Sequence, residues 1–159
     1  MLNQIDKVLK KHQDLLYAGY VQDAKKEFAE GSLTLAIVRG EDLPTPESLK
    51  VGFAPYLNGM GEAAGELRRY LLDAMRRDDF SRCEELLTAM DDIYGILVTM
   101  DFPDALTGGL RRTTDMVRGV VERTRGDLTM AVEQRSLGRR VENLEEKLKG
   151  KGGSKKSHD

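Results

Sequence analysis

Apolar residues in this chain recur at steps of three and four, and nowhere do they alternate over a length that would make a strand. That periodicity argues against a sheet-based core and leaves helix packed on helix as the way to bury apolar surface. Leu2, Ile5, Val8, Leu9, Leu15 and Leu16 outline a first amphipathic helix. A second is expected from about Gly19 to Arg39, with Tyr20, Ala24, Phe28 and Leu35 among its apolar positions and Gly40 as its stop. Thr45-Pro46-Glu47 supplies an N-cap, a first-turn proline and a dipole-favoured acid, which together open a short helix. Another follows from near Ala54-Pro55 to about Arg77. Asp78-Asp79 then caps a helix over Phe80 to about Met100, which Asp101-Phe102-Pro103 breaks. From Leu110 a long helix runs through Val117, Val121 and Leu128, and Leu137, Val141, Leu144 and Leu148 extend it after a phase shift. The expected fold class is all-α, an antiparallel bundle of about five to six helices.

The length of 159 residues suits one domain, assigned here to residues 1–149. Residues 150–159, GKGGSKKSHD, are low in complexity and are expected to be a disordered tail. The formal charge of −2 does not by itself mark a nucleic-acid binder. Lys147 to Asp159 holds five Lys and one Asp, leaving 20 of the 25 basic and 26 of the 27 acidic side chains elsewhere, a charge of about −6. So acidic a body needs a local basic stripe or bound cations before it can attract a polyanion. Cys83 is the single cysteine, which excludes an intrachain disulfide and a thiolate zinc site and suits a reducing cytoplasm. No signal-peptide pattern is evident, and no apolar run approaches the roughly 18 residues that a membrane span requires.

Among the acids, two spacings stand out. Asp23, Glu27 and Glu30 share one helix face at steps of four and three, and Glu62 and Glu66 share a face of another helix. Gly61 and Gly65 are expected to strip bulk from beside the second pair. Facing carboxylate pairs would form an oxygen-only site suited to Mg²⁺ or Mn²⁺, with positions left for a phosphate oxygen and a water. Di-iron bundle chemistry needs Glu-x-x-His on two helices, and the two histidines, His12 and His158, do not supply it. In a chain with 27 acids such spacings also arise as a solvated face laced with pairs such as Lys26 to Glu30. Phe28 and Leu67 bring apolar company to the acids, where like charges without a cation would destabilise the fold. Spacing alone leaves both readings open.

Arginine dominates the basic set inside the helices, at Arg68, Arg69, Arg76, Arg77, Arg111, Arg112, Arg118, Arg123, Arg125, Arg135, Arg139 and Arg140. Its planar fork suits phosphate, and exposed helical arginine serves solubility equally well.

Four stretches carry a resemblance: YAGYVQDAKKEFAEGSL (Tyr17 to Leu33), PYLNGMGEAAGELRR (Pro55 to Arg69), DDIYGILVTMDFPDALTGGLRR (Asp91 to Arg112) and RTRGDLTMAVEQRSL (Arg123 to Leu137). In order and spacing they are similar to the translin family, and more specifically to the archaeal relatives of translin-associated factor X. The resemblance implies an all-α bundle that assembles into a closed homo-oligomer, an octamer, enclosing RNA. It also implies a Mg²⁺-dependent endoribonuclease that cleaves single-stranded or short duplex RNA by water attack on the phosphodiester. The family's E-x-x-E matches Glu27 and Glu30, and its D/E-x-x-x-E after a Tyr-Leu-x-Gly element matches Glu62 and Glu66, behind Tyr56-Leu57-Asn58-Gly59. These four glutamates are therefore the expected catalytic and metal-holding residues. Glu62 is a departure with longer reach, since Asp is common there. Arg68, Arg69, Arg111, Arg112 and Arg118 are the expected RNA contacts. The alternative within the family is a non-catalytic RNA- or ssDNA-binding oligomer. Relatives carry a longer N-terminal helix, so the helix before Leu15 is expected to be short here.

Overall fold

The computed structural model describes residues 19–152. The helix expected over Leu2 to Leu16, both histidines and residues 153–159 lie outside them. Six helices and no strand occur among the described residues: α1 (Gly19–Arg39), α2 (Pro46–Leu49), α3 (Phe53–Arg76), α4 (Cys83–Val98), α5 (Asp104–Thr107) and α6 (Leu110–Gly152). The all-α expectation holds. No described helix is long and apolar enough to cross a membrane. The chain divides into two compact units, Met1–Arg123 and Thr124–Asp159, with the boundary inside α6.

In the first unit α3 is the central element. Its buried face includes Tyr56, Met60, Ala63, Ala64, Leu67, Leu71 and Ala74, and α1 and α4 both pack on it. Leu67 and Leu71 are fully buried together with Leu33 of α1 and Leu86, Met90 and Leu97 of α4. On α1 the core side is Val21, Ala29, Leu33 and Ala36. Tyr20, Phe28 and Leu35, the larger apolar residues that the sequence marks on this helix, are 43–66% exposed. At Ala29 the inner face takes a small residue because α1 and α3 approach closely there. The contact point is Gly59, where an added methyl carbon would stand 2.6 Å from the Lys26 carbonyl oxygen and 3.0 Å from Ala29 Cβ.

The ends of the helices are built by local chemistry. Thr45 caps α2 as expected, its Oγ1 accepting from Ser48 N at 3.2 Å with Pro46 in the first turn. The Tyr56 hydroxyl donates to the Pro44 carbonyl at 2.9 Å and ties down the loop ahead of α2. The helix expected from Phe80 starts instead at Cys83, because Asp79 accepts from both Ser81 N and Ser81 Oγ and holds a turn there. That turn aims Arg82 at the end of α1, where its guanidinium donates to the carbonyls of Val38 and Ile37 while pairing with Glu85. An interhelical cap of this kind satisfies carbonyls that a helix end leaves orphaned.

Past the break at Asp101-Phe102-Pro103 comes α5, a single turn that the sequence pattern does not announce, closed by Gly108 at φ 64°. Asn58 joins this turn to its neighbours. Its Nδ2 donates to the carbonyls of Thr107 (2.6 Å) and Ala54 (2.9 Å), and its Oδ1 accepts from Thr113 Oγ1 (2.7 Å). Asn58 is buried, so Asn58→Ala strands polar groups and is expected to destabilise the fold by about 2 kcal/mol in urea titration. An unchanged midpoint would show that the network is not what holds α5.

In the second unit the long helix carries through to Gly152, three residues into the stretch that the sequence reads as low-complexity. Thr124 and Leu128 are buried, whereas Met130, Leu137, Val141, Leu144 and Leu148 are 47–70% exposed. The last four keep a four-three-four spacing.

Candidate functional site

The four glutamates fall on the two helices that Gly59 clamps together. Glu27 and Glu30 lie on α1, and Glu62 and Glu66 on α3. Gly59 precedes Glu62 by three residues, and the backbone nitrogen of Glu30 lies 3.0 Å from where its side chain would begin. The glycines that the sequence assigns to this task do other things. Gly61 faces away from the acids, toward Thr113, Leu97 and Val117, and Gly65 has open space around it. The signal for Gly59 was present, since it closes the Tyr-Leu-Asn-Gly element, but its role depends on which helix lies opposite.

The carboxylates sense one another across this contact. Glu30 is held above the usual carboxylate range, chiefly by burial, then by the negative charges of Glu62, Glu66 and Glu27, with Lys26 acting in the opposite direction. The folded state therefore binds that proton more tightly than the unfolded chain does. Its contribution to stability is present at acid pH and is lost as pH rises through the folded value. A cation among the acids would offset the cost.

Lys26 supplies one positive charge. Its Nζ donates to Glu62 Oε1 at 2.8 Å, crossing from α1 to α3, in place of the Lys26 to Glu30 pair that helical spacing suggests. Glu66 pairs within its own helix with Arg69 at 3.2 Å. As these side chains stand, no group of three or more His, Cys, Asp or Glu among the described residues is arranged to hold a metal ion. The donor chemistry nevertheless fits a hard divalent cation: four carboxylates from two helices and no softer ligand. Of the apolar company expected around the acids, Leu67 is fully buried and Phe28 points outward, 43% exposed.

The arginines are dispersed. Arg68 and Arg69 follow Glu66 on α3, and Arg69 is largely exposed and paired with that acid. Arg111 and Arg112 are exposed at the start of α6. Arg111 helps line an open cavity of about 390 Å³ with Asp101, Phe102, Pro103 and Asp104. Arg118 is exposed and bound to Glu122 at 3.2 Å. Cys83 is 1% exposed and its thiol is pushed up by burial, as befits a packing residue.

The fold is an all-helical bundle with a pair of carboxylates on each of two packed helices. Comparison with known proteins narrows it. No family model matches the chain. The solved structure of AfC3PO in complex with duplex RNA superposes with a TM-score of 0.72 at 34% identity, over 83% of this chain and 70% of that one. A crystal structure of AfC3PO gives 0.71 at 35% identity, over 81% and 69%. An uncharacterized protein of Methanocaldococcus jannaschii is 29% identical over 150 residues, 91% of this chain and 67% of that protein. The chain belongs to the translin family, among the archaeal relatives that include AfC3PO.

Proposed function

We propose that this protein is a cytoplasmic, homo-oligomeric endoribonuclease that cleaves single-stranded or short duplex RNA with the help of Mg²⁺ or Mn²⁺. The observation that supports the reading is that burial, and then the charges of Glu62 and Glu66 on α3 and of Glu27 on its own helix, raise Glu30 at the α1–α3 contact. These are the residues that would hold the cation. Once bound, a divalent ion would supply positive charge where negative charge builds on the phosphodiester. The protein's own part is to fix the two carboxylate pairs against each other and to line the approach with cations. Arg68 and Arg69, within a turn of Glu66, are proposed to meet a phosphate, with Arg111, Arg112 and Arg118 as further contacts along α6. The relative whose structure was solved in complex with duplex RNA supports an RNA ligand. Exposed Leu137, Val141, Leu144 and Leu148 keep a coiled-coil spacing, which supports assembly with further copies toward an octamer.

Metal removal tests the enzymatic reading. Purified protein should cleave a labelled RNA in Mg²⁺, lose that activity in excess EDTA, and recover it when Mg²⁺ is restored. Failure to cleave single-stranded or duplex RNA in either Mg²⁺ or Mn²⁺ would leave the second reading, a non-catalytic RNA- or ssDNA-binding oligomer. One observation favours that reading: Glu62 and Glu66 each already hold a basic side chain. Its signature would be salt-sensitive RNA retardation without cleavage.

A further inference from the structure

Lys26 differs from Arg69, which pairs within α3, because its ion pair crosses from α1 to α3. The Lys26 backbone packs closely on α3: a methyl carbon added at Gly59 would stand 2.6 Å from the Lys26 carbonyl oxygen, so the side chain has more freedom to move than the backbone. The pair is also only partly shielded, with Lys26 25% and Glu62 35% exposed, which makes it weak enough to exchange for a stronger partner. One ammonium satisfies one oxygen of Glu62, whereas the other acids at the contact gain only a distant share of its charge. A divalent cation drawing on several carboxylates would displace it, and the oxygen that accepts from Lys26 would be released to that ion.

We propose that Lys26 is a built-in counter-ion that holds Glu62 in the absence of metal and must be displaced when a divalent cation enters, so that it sets the metal concentration at which the site loads. This rests on the carboxylate-site reading above and adds to it a residue on which the family motif is silent. Lys26 is a positioning residue in this account, acting through Glu62. A merely structural ion pair makes the opposite forecast, because removing it would leave metal affinity unchanged or reduce it.

The test is a titration of the full-length chain with Mn²⁺ alone, free ion being read by electron paramagnetic resonance, without RNA or turnover. Lys26→Met should bind Mn²⁺ about tenfold more tightly than the unaltered chain. Lys26→Arg keeps the charge and should restore the original affinity to within about twofold, which guards against a packing artefact at position 26. Glu62→Gln should bind more weakly. If Glu62→Gln weakens binding while Lys26→Met leaves it unchanged or weaker, the counter-ion inference is overturned and the carboxylate site stands. If Glu62→Gln binds like the unaltered chain, or if none of the proteins binds Mn²⁺, both fall. Tightening in Lys26→Met without rescue by Lys26→Arg also overturns it, since charge would then not be the cause.

Discussion

Glu62→Gln should lower Mg²⁺-dependent cleavage of a labelled RNA by at least about 100-fold, because groups that only orient a metal's ligands already cost about 10–100-fold when changed. Glu62 is the right acid to probe. It lies on α3, and its charge is the largest electrostatic contribution to raising Glu30 on α1, so it is the acid that couples the two pairs of the proposed site. Its replacement is nearly isosteric and removes one negative charge together with the pair to Lys26. That pair is partly exposed on both sides, so its loss should alter stability by no more than about 1 kcal/mol. Activity lost from a protein that unfolds at the normal temperature would therefore report on the site and not on the scaffold. A Glu62→Gln variant that cleaves at the original rate would sink the four-carboxylate account.

The second large effect is expected at a residue with no charge. Gly59→Ala places a methyl group 2.6 Å from the Lys26 carbonyl oxygen and 3.0 Å from both Ala29 Cβ and Glu30 N. Two of those three neighbours are backbone atoms, which cannot rotate away, so α1 must shift. Overpacking of this severity costs about 3 kcal/mol. The alanine regains about 1 kcal/mol of helix propensity, so the net loss is about 2 kcal/mol. Thermal unfolding should move down by about 4–8 °C. Gly65→Ala provides the contrast. Nothing stands within 4 Å of that position, so only the propensity gain operates and the midpoint should rise slightly. If the two variants melt alike, the close approach of α1 and α3 at Gly59 is not as described. Because the same shift would carry Glu27 and Glu30 away from Glu62 and Glu66, Gly59→Ala should also reduce cleavage by more than its stability loss explains.

Much of the helical layout was legible in the sequence because caps and breakers act locally. Gly40, Thr45-Pro46 and the Asp101-Phe102-Pro103 break each act within a turn of the chain, and the helices begin and end there to within a few residues. The start of α4 was not. Asp78-Asp79 resembles a cap, but Asp79 bonds to Ser81 and commits its side chain to a turn that delivers Arg82 to α1. Likewise, the apolar residues of α1 were visible, but which of them face the core was not. Ala29, Leu33 and Ala36 share the inward face and Phe28 does not, and that face is the inner one because it is the face that packs on α3 at Gly59.

The four glutamates illustrate the same division. Sequence alone determined that they are acidic, that each pair shares a helix face, and that no histidine accompanies them at metal-ligand spacing, because these properties follow from residue type and a period of 3.6. Only the tertiary structure decided that the two helices carrying the pairs pack on each other, that Gly59 and not Gly61 or Gly65 is their close contact, and that Lys26 reaches Glu62 and not Glu30. Those facts depend on residues some thirty positions apart or more meeting across a packed interface. No local period encodes that distance.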